Sequence, residues 1–455
     1  METQHFKNEL TTQSTRLVVS HCPIAQLILD PCNPRLHSPR QISQIARSIE
    51  AFGFNVPILV DAKQKVIAGH GRLLAVRKLG WPEVPTICLD HLTADQARAF
   101  MIADNRLTEN SQWDDKLLAE QLKDLSVLDL DFSLETTGFE MGEIDLRIEG
   151  LTITPDGQDD PADALPSATL RPAISQTGDL WLLGRHRLYC GSALDPSAYA
   201  LLMDGEMATA IFADPPYNVR IDGHVSGLGS AHHREFAMAS GEMNAEQFTE
   251  FLSRSCSLMA RHSVDGAIHF ICMDWRHAGE LIAAGKQVYS ELKNICVWVK
   301  HNAGMGSHYR SQHELVFVFK HGRGQHRNNI QLGQHGRYRT NVWNYRGANA
   351  FGGETHEGNL LTLHPTVKPV AMVADAIMDC SARGDVVLDA FLGSGTTIIA
   401  AERTGRRCNG LEIDPLYVDT IIRRWQTYGG DLARHATDGR TFNEIEGQRE
   451  LLHAE

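Results

Sequence analysis

The hydrophobic pattern changes character twice along this chain. In the first part, short apolar runs alternate with amphipathic stretches. Pro57-Ile58-Leu59-Val60-Asp61 and Lys65-Val66-Ile67-Ala68 read as two short strands around a polar turn. Gln41 to Phe52 predicts a helix, with Ile42, Ile45, Ile49 and Phe52 on one face and Gly53 as its stop. Arg72 to Leu79 predicts another, ended by Gly80 and Pro82. Thr93-Ala94-Asp95-Gln96 is a capping box that opens a helix through about Ala103, and helical patterning resumes from about Asp114 to Leu125.

From residue 151 to 177, Pro155, Asp156, Gly157, Asp159, Asp160, Pro161, Asp163 and Pro166 crowd a stretch with little apolar period, the signature of a linker. From Gly178 onward, strands and helices alternate. The expected strands are Leu180–Leu183, Arg187–Cys190, Ala208–Ala213, Gly266–Cys272, Asn294–Val299, Glu314–Phe319, Val386–Asp389 and Cys408–Ile413. Helices are expected over Glu246–Leu258, Val370–Cys380 and Gly395–Thr404. This alternation predicts a parallel sheet with helices on both faces. The expected organisation is a polar tail over 1–15, a compact unit over 16–150, the linker, an α/β domain over 178–435 and a tail over 436–455.

A length of 455 residues predicts two or three domains, and 42% hydrophobic content is globular. No apolar run reaches the ~18 residues of a membrane span. The N-terminus lacks a basic-then-apolar signal pattern, so a cytoplasmic protein is expected. Nine scattered cysteines without a C-x-x-C pair read as reduced thiols. The 22 histidines form no H-E-x-x-H, so no metal site is expected, and His232-His233 reads as a solvated loop pair. A net charge of −13 excludes a uniformly basic coat. One region departs from it. Between Trp298 and Gly353 lie Lys300, Arg310, Lys320, Arg323, Arg327, Arg337, Arg339 and Arg346, against Glu314 as the one acid. Such a local basic segment suits phosphate contact.

Two constellations carry chemistry. Asp214-Pro215-Pro216-Tyr217 follows the run Ala208–Ala213. It therefore sits just past the carboxyl end of a strand, where open α/β sheets bind ligands. The prolines hold an extended turn and leave their carbonyls free to accept hydrogen bonds. A fixed carboxylate, carbonyl and ring together suit a planar group that carries an amine. The second is Val386-Val387-Leu388-Asp389-Ala390-Phe391-Leu392-Gly393-Ser394-Gly395-Thr396-Thr397, a strand, glycine turn and helix start. Glu412, 17 residues beyond Gly395, ends the next strand, where its carboxylate can accept both hydroxyls of a ribose. A P-loop needs a lysine after Gly395, and a dinucleotide fingerprint needs glycine or alanine where Ile398 stands. S-adenosyl-L-methionine has ribose and adenine without pyrophosphate, and Asp389 can face its ammonium.

Together these motifs resemble the amino-group DNA methyltransferases, which methylate adenine N6 or cytosine N4. D-P-P-Y comes first and the glycine turn last, the order of the β class. His364-Pro365-Thr366-Val367-Lys368-Pro369 resembles the family's additional cofactor motif. Val297-Trp298-Val299-Lys300 and Gln312-His313-Glu314-Leu315-Val316 resemble its later strands, over a match of roughly 178–430. The resemblance implies a Rossmann-like α/β sheet with helices on both faces and S-adenosyl-L-methionine as cofactor. It implies catalytic Asp214, Pro215, Pro216 and Tyr217, and cofactor contacts from Thr366, Lys368, Pro369, Asp389, Phe391, Gly393, Gly395, Thr396 and Glu412. The target-recognition segment falls at about 321–359. Lys300, Arg310, Arg323, Arg327, Arg337, Arg339 and Arg346 are the expected contacts to double-stranded DNA. The class admits a homodimer.

The first unit resembles the ParB/sulfiredoxin-like fold, a small α+β domain. Asn33-Pro34-Arg35, Pro57–Val60, Gly69-His70-Gly71-Arg72-Leu73-Leu74-Ala75 and Ala103-Asp104-Asn105-Arg106 carry that likeness. Gly69, Arg72 and Ala75 match a motif that contacts a nucleotide triphosphate in ParB proteins, although Gly71 stands where that family often has arginine. No sulfiredoxin-type cysteine is present at the motif. Fusions of this kind resemble proteins of phages and mobile elements.

The expected reaction flips the base out and transfers the methyl in one in-line displacement, without a covalent enzyme–base adduct. Asp rather than Ser at position 214 tilts the target toward adenine N6, with cytosine N4 as the alternative. Three rivals stand beside it: a ParB-like DNA-binding regulator with an inactive methylase, an RNA or protein methyltransferase, and a nuclease in the first unit.

Overall fold

The fold is that of a computed structural model, which describes residues 17–151, 160–166, 172–219, 239–300, 308–334, 336–346 and 367–454. The chain forms two compact units, Met1–Glu140 and Met141–Glu455.

The first unit runs β1 (Val19–Pro23), α1 (Pro39–Phe52), β2 (Ile58–Val60), β3 (Val66–Ala68), α2 (His70–Leu79), β4 (Glu83–Cys88), α3 (Ala94–Glu109) and α4 (Asp115–Ser126). Its sheet has the order β1-β4-β2-β3, with β2 and β4 parallel. Ser38 caps α1 by accepting from the Gln41 N–H, with Pro39 in the first turn. The Thr93 capping box forms as expected, but α3 runs on to Glu109. Ile49, Ile58, Val60, Leu73, Val76 and Val84 make the core. Gly69 enters α2 at φ 102°, and Arg72 folds back to donate to the Pro57 carbonyl at 3.4 Å.

The second unit runs α5 (Met141–Glu149), β5 (Leu180–Leu183), β6 (His186–Cys190), α6 (Pro196–Met203), β7 (Ala208–Ala213), α7 (Ala245–Arg261), β8 (Ser263–Met273), α8 (Ala278–Val288), β9 (Glu291–Val299) and β10 (His313–Lys320). It continues with β11 (Val342–Asn344), α9 (Val370–Cys380), β12 (Val386–Asp389), α10 (Thr396–Thr404), β13 (Arg407–Glu412), α11 (Pro415–Gly429), β14 (Arg434–His435) and α12 (Phe442–Ala454). The sheet order is β11-β9-β10-β8-β7-β12-β13-β6-β5-β14. Side chains alternate between its two faces. Phe212, Phe270 and Val387 pack with α9, α10 and α11, whereas Ile211, Ile271 and Leu388 pack with α6, α7 and α8. The Rossmann-like sheet with helices on both faces is therefore present.

Three expectations are corrected. The sheet is mixed: β6, β13, β12, β7 and β8 are parallel, but β10 runs antiparallel to β8 and β9, and β5 antiparallel to β6. Hydrophobic period reports burial, not strand direction. Next, α5 belongs to the second unit, and the described linker residues are docked on that unit. Ala162 and Ile174 lie in its core, and Asp419 accepts from the N–H groups of Ile174 and Ser175 at 2.6 and 2.9 Å. The short Pro- and Asp-rich pattern hid contacts that come from distant helices. Lastly, the C-terminal segment holds α12, opened by a Thr441–Glu444 capping box. Phe442 is fully buried, its ring 5.5 Å from that of Trp181. Phe442→Ala is expected to destabilise the protein by about 3 kcal/mol, measured by denaturant unfolding.

Candidate active site

Strand pairing brings the two constellations to one edge of the sheet. β7 and β12 are parallel neighbours, with Val387 beside Ala210 and Leu388 beside Ile211. Asp214 and Asp389 therefore both emerge at the carboxyl edge, the ligand-binding edge of such sheets. Among the described residues, Lys368 joins them physically. Its carbonyl accepts from Thr396 Oγ1 of the glycine turn at 3.3 Å, while its ammonium reaches Asp214 Oδ2 at 2.5 Å.

Around Asp214 lies a buried charged cluster. The Tyr217 hydroxyl donates to Asp214 Oδ1 at 2.6 Å and stands 3.3 Å from Glu314 Oε2. Lys368 Nζ also lies 3.2 Å from Glu314 Oε2, and Lys300 Nζ pairs with Glu314 Oε1. The two ammoniums sit near the Trp298 ring, at 4.9 Å for Lys300 and 6.0 Å for Lys368. The side chains of Lys368 and Glu314 are only 4% and 8% exposed, so neither charge is offset by water. Burial pushes the Glu314 carboxyl up, but Lys368 and Lys300 outweigh it and hold it at about 2. Burial leaves the Asp214 carboxyl raised despite Lys368, and it raises the Tyr217 phenol well above its usual range. Two carboxylates and two ammoniums thus balance, with Lys368 and Glu314 buried and Lys300 at the solvent rim.

Asn218 follows directly, at φ 54°, a conformation asparagine tolerates better than most residues. Its buried side chain accepts from the N–H groups of Gly241 and Met243 and donates to the Met243 carbonyl. This clamp closes the base of the segment after D-P-P-Y. Nothing in the periodicity marked Asn218. Glu314 was visible as the lone acid of a basic stretch, the one signal that could have singled it out.

The glycine turn is built by its neighbours. Gly393 and Gly395 take φ of 53° and 83°. A Cβ on Gly395 would come within 2.9 Å of Ile421, so that glycine serves packing against α11. Glu412 Oε2 accepts from the Gly393 N–H at 2.8 Å and Oε1 from the Asp414 N–H at 2.9 Å. Asp389 accepts from the Phe391 N–H and the Thr397 hydroxyl at 2.9 and 2.6 Å. Burial lifts both carboxyls to about 7. Arg424, also buried, donates to the Ser394 carbonyl at 3.0 Å and the Ala162 carbonyl at 2.9 Å, bracing the turn from behind.

Most expected site residues converge here, with exceptions. Thr366 lies outside the described residues, as do 347–359 of the expected recognition segment and His232-His233. The Lys368 side chain faces Asp214 and Glu314, and only its backbone touches the cofactor turn. Arg310, Arg323, Arg327 and Arg346 are exposed. Arg337 and Arg339 are not available to phosphate. They fold inward onto α9, where Arg337 meets Asp379 at 2.9 Å and Arg339 meets Asp375 at 2.9 Å. These two aspartates lie beyond Gly353, where the count of acids in the basic stretch ended, and Glu149, 3.6 Å from Arg337, lies before it. Lys300 is committed to Glu314. No described helix is long and apolar enough to cross a membrane, and no metal-holding group of His, Cys, Asp or Glu occurs among the described residues.

Comparison with known proteins agrees with this anatomy. The DNA methylase family of N6/N4 type matches residues 208–423, the ParB-methyltransferase HTH domain matches 116–177 and the ParB N-terminal domain matches 7–105. The ParB-like nuclease domain-containing protein YnaK of Escherichia coli K12 is 40% identical over 83 residues, 18% of this chain and 95% of that protein. The type II methyltransferase M2.MboI of Moraxella bovis is 25% identical over 229 residues, 47% of this chain and 79% of that protein. A solved putative DNA modification methylase, TTHA0409 of Thermus thermophilus complexed with S-adenosyl-L-methionine, is 21% identical, with a TM-score of 0.38, over 56% of this chain and 96% of that one. Residues 208–423 thus form a DNA methylase domain of the N6/N4 family, which the chain joins to an N-terminal ParB-like domain.

Proposed function

We propose that the protein is a site-specific DNA methyltransferase acting on the N6 amino group of adenine. The observation that carries this reading is Lys368, which ties the Asp214 carboxylate to the glycine turn and so makes one pocket of two motifs.

The residues of the turn suit S-adenosyl-L-methionine. Two buried carboxyls, each lifted to about 7, are under-compensated acceptors. Glu412 would hold the ribose hydroxyls and Asp389 the methionine ammonium, with the backbone of Phe391 to Thr396 alongside. When bound, that group supplies an electrophilic methyl on sulfonium sulfur. The rest falls to the chain. Adenine's amino lone pair is delocalised into its ring, so it is a poor nucleophile. Asp214 and the Pro215 carbonyl would accept its two hydrogens, localise electron density on nitrogen and aim the lone pair. Extruding the base costs a few kcal/mol. The Tyr217 ring would face it once its hydroxyl is drawn from Asp214. The exposed Arg310, Arg323, Arg327 and Arg346 are proposed phosphate contacts.

The test is digestion of treated DNA to nucleosides with mass detection. N6-methyladenine is the expected product. N4-methylcytosine alone would replace the adenine reading with the cytosine one. Methyl transfer to RNA but not DNA would remove both.

Cofactor binding should depend on pH. With the Glu412 carboxyl at about 7, the ionised acceptor gains population between pH ~6 and ~8, so affinity for S-adenosylhomocysteine should rise up to about tenfold across that window. Asp389, lifted to about 7 as well, adds its own rise in the same window, so Glu412→Gln should remove the share of Glu412 and leave that of Asp389, as read by calorimetry. The same shift has a stability cost in the free protein. The folded state holds this proton more tightly than the unfolded chain, so stability falls as pH rises from 4.5 through about 7.

A further inference from the structure

Both oxygens of Asp214 are already taken. Oδ1 accepts from the Tyr217 hydroxyl and Oδ2 from the Lys368 ammonium. Yet Asp214 is the group an exocyclic amine must reach. An ammonium is a compact N–H donor, so Lys368 fills the place of that amine. Releasing it without a receiver would bury an unpaired charge. A receiver is at hand. Glu314 Oε2 stands 3.2 Å from the same nitrogen, and Lys300 already serves the other Glu314 oxygen.

Building on the methylase reading above, we propose that Lys368 is a latch on the base pocket and Glu314 its keeper: the incoming amine takes over Asp214 Oδ2 as the ammonium moves wholly onto Glu314. Only hydrogen bonds and ion pairs are exchanged, and the pocket stays neutral throughout. Lys368 and Glu314 are positioning residues in this scheme. The latch also selects. A base that offers a carbonyl in place of the amine cannot donate to Asp214, so it leaves the ammonium where it is.

The test uses the full chain, mixed genomic DNA and tritiated S-adenosylmethionine, with calorimetry against S-adenosylhomocysteine. Glu314→Gln should cut turnover at saturating DNA by roughly tenfold or more while cofactor-product affinity stays within about twofold. Adding Lys368→Met to Glu314→Gln should raise turnover severalfold above the single variant. In a second comparison at alkaline pH, which favours the ionised Asp214 carboxylate, Lys368→Arg should turn over more slowly than Lys368→Met, because the guanidinium fork spans both carboxylates. A residue kept for structure or for cofactor charge gives the reverse order, with arginine the better replacement. That order, a double variant no faster than Glu314→Gln, or matched losses of turnover and affinity in Glu314→Gln overturns the latch and leaves the methylase reading standing. Wild-type protein that transfers methyl to no DNA overturns the methylase reading itself, and the latch with it.

Discussion

Asp214→Asn is expected to lower methyl transfer by on the order of 10³-fold, the scale seen when a preorganised electrostatic contact is removed from a reacting centre. The amide keeps the shape of the carboxylate and loses its charge. One of its two acceptor positions becomes an NH₂ donor pointed at another donor, either the Tyr217 hydroxyl or the Lys368 ammonium, which now meet Asp214 at 2.6 and 2.5 Å. The substrate amine then meets a neutral amide in place of the carboxylate and keeps only the Pro215 carbonyl as a good acceptor. Affinity for S-adenosylhomocysteine should fall far less, because Asp389, Glu412 and the glycine turn hold their own contacts without Asp214. Initial-rate assays and calorimetry on the same preparations separate the two. Retained turnover would remove Asp214 from its catalytic role.

Asp145→Asn should be the most damaging change to stability, at about 3–5 kcal/mol. Asp145 on α5 is fully buried. Its oxygens accept from Arg406 Nη1 and Nη2 at 2.9 and 2.7 Å and from Arg383 Nε at 2.9 Å. The Arg406 side chain is also 0% exposed. The variant therefore leaves two buried guanidiniums facing a neutral amide. Urea unfolding of the full chain measures the loss. A change under about 1 kcal/mol would mean that α5 is not anchored where the fold has it, since surface substitutions stay in that range. This anchor also explains why the unit boundary falls at Glu140 rather than after residue 150.

How much was legible in the sequence follows from which forces are local. D-P-P-Y and the glycine turn were readable because each follows an apolar run of strand length, and strand-end chemistry is fixed within a few residues. Their convergence rests on the neighbouring of β7 and β12, a long crossover that no local pattern fixes. The direction of β10 was not readable, because an alternating strand looks alike both ways. Arg337 and Arg339 looked like phosphate ligands because their neutralising partners, Asp375 and Asp379, come from a helix that follows much later in the chain. Lys368 was assigned to the cofactor because His364 to Pro369 resembles the family's additional cofactor motif. Its backbone is beside the cofactor turn, but its side chain crosses to Asp214, and side-chain direction at the start of a helix is set by tertiary charge. The opening of α12 was readable and missed: Thr441-Phe442-Asn443-Glu444 is a capping box of the same kind as the one at Thr93.

In the proposed mechanism Asp214 presents an adenine amine to the methyl donor in a single pocket. Single-molecule sequencing of DNA from a host carrying either wild-type protein or Asp214→Asn tests it most directly. N6-methyladenine is expected at one short sequence motif with the wild type and nowhere with the variant. Equal modification of the same positions by both proteins would contradict it.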